Sequence, residues 1–183
     1  AHLLGQCIKW LARLGELGKE GVLALMSDST NVERPGYAMS ERTVGEKFEN
    51  IFQNCNKRII VATFASNVHR VQQIINASAN HGRKVAVLGR SMVNVIGAAA
   101  ELGYMDLPDG VLIDVNEIKR YRPEEITLIT TGSQGEPMSA LTRMALSDHR
   151  KVAIGPNDYV IISATPIPGN EKTVGRVVNE LMK

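Results

Sequence analysis

The sequence predicts an α/β protein with a doubly wound, mainly parallel β-sheet and helices on both faces. Its apolar segments are short and rich in β-branched residues, and they are continuous rather than alternating with polar residues. Continuous apolar runs are typical of strands buried on both faces, as in parallel sheets. Helical patterns lie between these runs, and a strand–helix alternation predicts βαβ crossovers of the Rossmann-like kind.

The predicted strands are the apolar runs, and each has the length of an ordinary strand. They cover residues 21–26, 58–64, 84–89, 110–115, 126–131 and 159–164.

The predicted helices alternate with the strands and carry recognisable ends. Ser40 is a candidate N-cap, and Gly82 and Gly103 follow two of the helices where a left-handed residue commonly ends one. Pro137 is expected in a first helical turn, and Met138 and Met144 are expected in the core. The helices are predicted over residues 40–55, 66–82, 91–103, 136–146 and 170–183, with Val44, Phe48, Ile51 and Phe52 on one face of the first.

Composition excludes several classes of protein. The net charge of +2 gives no strongly basic nucleic-acid footprint, and 4% aromatic residues make extensive base stacking an unlikely mode of binding. Cys7 and Cys55 are too few for a disulfide scaffold, which favours a cytoplasmic location. No apolar run approaches the length that spans a bilayer, and the first residues predict no signal peptide.

Polar segments of small residues follow most of the predicted strands. In an open α/β sheet such segments meet at one edge, where ligands bind and helix N-termini favour anions. They cover residues 27–31, 63–67, 89–91, 130–137 and 163–170.

The segment TTGSQGEP, residues 130–137, has two interpretations. It contains neither a Walker A lysine nor a GxGxxG pattern. Gly132 and Gly135 could admit a phosphate or sugar close to the backbone, with Ser133 and Gln134 as hydrogen-bonding partners; the alternative is a glycine-assisted strand-to-helix turn.

Other candidate residues have equally plain alternatives. Asp28 could orient a catalytic group or a metal-bound water, or could complete an Asx-turn. His69 could line the cleft or face solvent in a first helical turn. Arg90 could pair with phosphate or form a salt bridge between loops. Ser163 lies in no GxSxG motif, so a serine hydrolase is rejected.

The histidines predict no metal site within this chain. They form neither an HxH nor an HExxH pattern, and no two of them are spaced at i, i+4.

Several motifs together resemble bacterial ribonuclease J, a family of metallo-β-lactamase-fold nucleases that carry an inserted β-CASP domain. The resemblance covers roughly residues 11–183, and the first ten residues do not fit it. It predicts an N-terminal linker or helical segment over residues 1–20 and a β-CASP domain over residues 21–183. The motifs are LARLGELGKEGVLALMSDSTN, MSERTVGE, IIVATFASNVHRVQQII, GRKVAVLGRSM, TTGSQGEPMSAL and PIPGNE.

The resemblance implies an endonuclease and 5′-to-3′ exonuclease of RNA processing and decay that uses two metal ions, usually zinc. The family's HxHxDH motif is absent from this sequence, as is its later HxSGH-like motif. The resemblance therefore implies a fragment that binds single-stranded RNA for a lactamase domain of the same protein and is inactive alone. It further implies no cofactor in this fragment, a homo-oligomeric full-length protein and no membrane association.

The resemblance also implies roles for individual residues. Asp28 matches the acidic motif A, which supports the family's metal centre without being counted among its ligands. The expected substrate contacts are Ser29, Asn67, His69, Arg90, Ser91, Gly132, Ser133, Gln134, Gly135, Glu136 and Ser163. A nucleotide- or sugar-phosphate-binding module without nuclease activity is the main alternative, and an assembly domain is a further one.

Overall fold

A computed structural model describes residues 2–29, 32–33, 35–37 and 40–183 of the chain. The chain divides into two compact units, Ala1–Ala38 and Met39–Lys183. Within the described residues, no helix has the length and apolarity needed to cross a membrane.

Among its described residues, the first unit contains one helix, α1 (His2–Glu20). Gly21, at φ 85°, donates its N–H to the carbonyl of Leu17 at 3.0 Å and ends the helix. The strand predicted over residues 21–26 is not formed, and the side chains of Leu23 and Met26 are exposed. A strand requires a neighbouring strand for its backbone hydrogen bonds, and no described strand pairs with this segment.

The second unit is built on a five-stranded, all-parallel sheet, which confirms the predicted fold class. The strands lie in the order β3-β2-β4-β1-β5, so β1 has β4 and β5 as its neighbours. Their bounds are β1 (Arg58–Ala62), β2 (Lys84–Leu88), β3 (Leu112–Ile113), β4 (Ile126–Thr130) and β5 (Asp158–Ile162).

Helices surround the sheet at most of the predicted positions. Ser40 caps α2, because its hydroxyl accepts the N–H of Arg42 at 3.3 Å. Two short 3₁₀ helices, Val115–Arg120 and Pro123–Glu125, join β3 to β4. The α-helices of this unit are α2 (Glu41–Asn54), α3 (Val68–Asn80), α4 (Arg90–Glu101), α5 (Ala140–Ala145) and α6 (Glu171–Leu181).

The core has two layers, one on each face of the sheet. Successive residues of β1 show the division: Ile59 and Val61 pack with α2, α3 and α4, whereas Ile60 and Ala62 pack with α5 and α6. All four side chains have no exposed surface. Strands buried on both faces explain why the sequence shows continuous apolar runs.

Two elements are much shorter than their predicted bounds. β3 pairs with β2 only through Leu112 and Ile113, because Asp114 then caps the following 3₁₀ helix by accepting the N–H of Asn116 at 2.7 Å. Helix α5 begins at Ala140 rather than Glu136, since Ser139 is its N-cap and accepts the N–H of Thr142.

The later start of α5 changes the environment of one methionine. Met138 lies in the loop before the helix and is 83% exposed, so the prediction that it is a core residue was wrong. Met144 is buried as predicted.

Candidate functional site

The carboxyl ends of the three neighbouring strands β4, β1 and β5 are level in the sheet. Ala62, the last residue of β1, pairs with Thr130 of β4 and with Ile162 of β5. Two further backbone bonds extend this alignment, from the N–H of Thr63 to the carbonyl of Thr130 and from the N–H of Ser163 to the carbonyl of Ala62. The loops that follow these strands therefore begin side by side at one edge, which we call the carboxyl edge.

The loop between β4 and α5 packs tightly against the start of α6. Gly135 has a φ of 73°, and a Cβ atom on it would lie 2.5 Å from the carbonyl carbon of Thr173. Only glycine combines this backbone angle with so close an approach. Ser133 is 2% exposed, and its predicted contact with substrate stays a prediction.

Gln134 connects this loop to the loop after β5. Its side-chain Nε2 donates to the carbonyl of Thr165 at 3.1 Å, and its Oε1 accepts the N–H of Ile167 at 2.7 Å. Oε1 also accepts from Nδ2 of Asn170 at 3.3 Å. The residue is 4% exposed, so these bonds replace contact with water. Gln134 is thus part of the scaffold of the carboxyl edge, and its predicted contact with substrate stays a prediction.

The backbone of Gln134 is bonded as well. Its N–H donates to Oε2 of Glu136 at 3.2 Å, and its carbonyl accepts from Oγ1 of Thr173 at 3.0 Å. Glu136 itself is exposed. Thr173, in the first turn of α6, therefore contacts the β4–α5 loop with its side chain, at Gln134, and with its backbone, at Gly135.

Arg70 in the first turn of α3 joins two further parts of the fold, the start of α2 and the loop after β5. Its Nη1 donates at 2.9 Å to both the carbonyl and the hydroxyl of Ser163, and its Nε and Nη2 donate to the carboxylate of Glu41 at 2.8 and 2.6 Å. The hydrogen bond from Arg70 lowers the pKa of Glu41, against the opposing effect of burial. The hydroxyl of Ser163, a predicted substrate contact, is thereby held by a cation.

Asn67 and His69 flank the start of α3. The side chain of Asn67 accepts the N–H of Arg70 at 3.0 Å, so Asn67 is the N-cap of the helix. His69 is exposed.

Arg90 and Ser91 lie at the same edge, after β2. A Cβ on Gly89 would lie 2.7 Å from Oγ1 of Thr131, which places the start of α4 beside the end of β4. Both Arg90 and Ser91 are exposed. Arg90 forms no salt bridge with any residue that the structure describes. The alternative that Arg90 forms a salt bridge between neighbouring loops is therefore not supported.

Asp28 and Ser29 belong to the first unit. They lie outside any helix or strand and are exposed, and the carbonyl of Ser29 accepts the N–H of Val32 at 3.0 Å. Their predicted roles at a metal centre and in substrate binding stay predictions.

No three side chains of His, Cys, Asp or Glu come close enough to hold a metal ion in the part of the chain that the structure describes. The described residues therefore offer no donor set for the two-metal centre, which the sequence resemblance assigns to the full-length protein.

Residues 56–181 match the family description "Ribonuclease J, beta-CASP domain". The chain belongs to this family. The chain is 49% identical over 173 residues to ribonuclease J of Helicobacter pylori, 44% identical to ribonuclease J2 of Bacillus subtilis and 45% identical to ribonuclease J of Thermus thermophilus. These matches cover 94–95% of this chain but only 25–31% of the relatives, so it spans about a quarter to a third of their length.

Two residues at the carboxyl edge of the β-CASP domain, Glu41 and Arg70, were not predicted from the sequence as site residues. Glu41 and Arg70 are 29 residues apart in the chain, and Arg70 and Ser163 are 93 apart. A charged residue in a first helical turn is common, so only the distant partners mark Arg70 as a central residue of this edge.

Proposed function

We propose that this β-CASP domain binds single-stranded RNA at its carboxyl edge and presents it to the metal-dependent catalytic domain of a ribonuclease J-type enzyme. The observation that carries the proposal is the exposed side chain of Arg90 at the start of α4, next to the β4–α5 loop, which the hydrogen bonds of Gln134 tie to the loop after β5. A guanidinium that forms no salt bridge with any described residue suits a phosphodiester backbone.

The start of α4 supports the same reading. Its N-cap, Gly89, supplies no side-chain hydrogen bond to the first turn. The free N–H groups of a helix N-terminus carry partial positive charge and favour a phosphate next to Arg90.

Metal chemistry belongs to the remainder of the proposed full-length protein. Two divalent ions, with zinc as the expected metal, would supply the activated water that attacks the phosphodiester bond. In this proposal the residues of the β-CASP domain bind and orient the RNA, while Asp28 supports the metal centre. The full-length protein would then be a cytoplasmic, homo-oligomeric endo- and 5′-to-3′ exoribonuclease, and the isolated chain would be inactive.

The binding proposal is tested with a short 5′-phosphorylated RNA at low salt, followed by fluorescence anisotropy. The net charge of +2 predicts weak binding that decreases steeply with salt. Arg90→Ala is expected to weaken binding by several-fold and to reduce the salt dependence, because one phosphate contact is lost.

The control is Arg120→Ala, which removes the same charge from an exposed arginine that pairs with Glu117 on the 3₁₀ helix. This change is expected to leave the affinity within about twofold. Equal losses in both variants, or a preference for mononucleotides over RNA, would contradict the proposal. A mononucleotide preference would instead favour the nucleotide-binding module.

Inactivity is tested separately. The purified chain is incubated with RNA and either zinc or manganese, and no cleavage is expected. Cleavage that disappears in Asp28→Ala would overturn this part of the proposal.

A further inference from the structure

Resting on the proposed function, we infer that Gln134 is a positioning residue, which acts on RNA through the loop after β5 rather than by touching the RNA itself. This loop, residues 163–170, contains the exposed residues Thr165, Ile167, Pro168 and Gly169. Gln134 is 4% exposed, whereas Ile167 is 49% exposed.

The bonds of Gln134 fix this loop at three places. The carbonyl of Thr165, the N–H of Ile167 and the side chain of Asn170 all contact one amide group. An amide satisfies a donor and an acceptor of the loop at once, which neither a carboxylate nor an amine does. The N–H of Asn170 also bonds the carbonyl of Ile167 at 2.8 Å, so the fixed points lie within one compact turn.

The turn leads directly into α6, so its position is defined from both ends. Ser163 is held by Arg70 at the start of the loop, and Thr173 bonds the carbonyl of Gln134 at the start of the helix. Between these two ends, Gln134 bonds Thr165 and Ile167 in the middle of the loop. Without these contacts, residues 165–169 would sample more conformations, and this conformational entropy would be lost when RNA binds.

The first experiment compares Gln134→Ala with the unaltered chain by hydrogen exchange and by RNA anisotropy. We expect faster exchange in the segment 164–170 and an affinity about five- to tenfold weaker, as for the loss of a few ordering contacts. Gln72→Ala is a matched control, because the Gln72 amide likewise bonds both the carbonyl and the N–H of Asp106, at 2.8 Å each, outside the two loops. It is expected to change neither quantity in this segment.

The second experiment uses Gln134→Glu, which has the same shape. Ionised, this carboxylate faces the carbonyl of Thr165 without a donor; protonated, its O–H donates to that carbonyl as Nε2 of Gln134 does. The affinity relative to the unaltered chain at the same pH is therefore expected to be low at pH 8 and to recover toward pH 5. A general loss of stability would not recover on acidification.

Faster exchange with an unchanged RNA affinity in Gln134→Ala would overturn the inference, as would unchanged exchange in the segment 164–170. Failure of Gln134→Glu to recover at low pH would also count against it. If the unaltered chain bound no RNA, the proposed function would fail first and the inference would fall with it; losses confined to the Gln134 variants leave the proposed function intact.

Discussion

The guanidinium of Arg70 and the carboxylate of Glu41 form a two-pronged ion pair, with Nε–Oε2 and Nη2–Oε1 distances of 2.8 and 2.6 Å. The pair joins the first turn of α2 to the first turn of α3. Because the Arg70 hydrogen bond lowers the pKa of Glu41, the ionised carboxylate is favoured by folding.

Glu41→Gln is expected to remove a stabilising effect that depends on pH. A carboxyl group with a lowered pKa stabilises the fold above its unfolded value, 4.5, and this stabilisation is lost as the pH falls below that value. The difference in unfolding free energy between the unaltered chain and the variant should be below about 1 kcal/mol at pH 7, since solvent screens the half-exposed carboxylate. Urea denaturation should show this difference shrinking between pH 5 and pH 3.

The matched control is Glu46→Gln on the exposed surface of the same helix. It is expected to change stability little at either pH. A constant difference between Glu41→Gln and the unaltered chain across this range would contradict the assignment.

Gly135→Ala is expected to destabilise the chain by about 2 to 4 kcal/mol. The new methyl group would lie 2.5 Å from the backbone of Thr173, and the φ of 73° is itself unfavourable for alanine. Thermal denaturation measures the effect. Gly97→Ala is the comparison, because nothing lies within 4 Å of a Cβ at that helical position and alanine favours the helix. An equally stable Gly135→Ala would refute the packing argument.

Arg83→Met is expected to destabilise the fold by about 2 to 4 kcal/mol. Arg83 is 3% exposed, donates to the carbonyls of Lys57, Ile126 and Cys55, and lies 5.7 Å from the ring centre of Phe52. Burial lowers the pKa of Arg83, and the interactions with Cys55 and Glu124 oppose this change.

Methionine keeps an unbranched apolar side chain at this position but leaves all three carbonyls without this donor. Urea denaturation of Arg83→Met and of Arg42→Met, an exposed arginine on α2, gives the comparison. Similar midpoints for the two variants would show that the buried bonds contribute little.

His149 is expected to make stability fall in mild acid. Its Nδ1 accepts the N–H groups of Lys151 and Val152, at 3.4 and 3.2 Å, which requires that nitrogen to be unprotonated. Burial, then the charges of Arg143 and Lys151, lower its pKa, while Asp148 opposes this change. The stabilisation is therefore complete above the unfolded value, 6.5, and is lost as the pH falls below it.

The measurement is the urea midpoint at pH 7.5 and at pH 5.5. His149→Asn retains an acceptor without a titrating group, so its midpoint should change less between the two pH values. His69→Asn, at an exposed histidine, should follow the unaltered chain. A midpoint that is independent of pH in the unaltered chain would rule out this role of His149.

Much of the fold could be predicted because local signals and burial agree. Ile59 and Ile60 lie in a continuous apolar run whose residues pack on opposite faces of the sheet. Ser40 occupies its predicted cap, and Gly82 ends α3 with a φ of 67°. These features depend on residues a few positions away in the chain, so patterns in the sequence predict them.

The remaining features depend on distant partners. The run 21–26 has the composition of a strand, but composition does not say whether another strand pairs with it. Gln134 reads as a ligand-binding residue in a glycine-rich turn, and only the contacts with residues 165–173 reveal its place in the scaffold. The role of Arg70 likewise depends on a distant partner, because its guanidinium bonds Ser163, which lies 93 positions later in the chain.

The strand order has a consequence for biosynthesis. β1 is the earliest strand of the sheet in the chain, yet its neighbours β4 and β5 are the last two, and Arg58 pairs with Asp158 one hundred residues later. A ribosome must therefore synthesise the chain as far as Thr130 before β1 gains β4 as a neighbour, and as far as Ile162 before it gains β5. During that interval a strand with apolar side chains on both faces and two open edges requires protection from association, so folding of this domain should be slow and sensitive to chaperones.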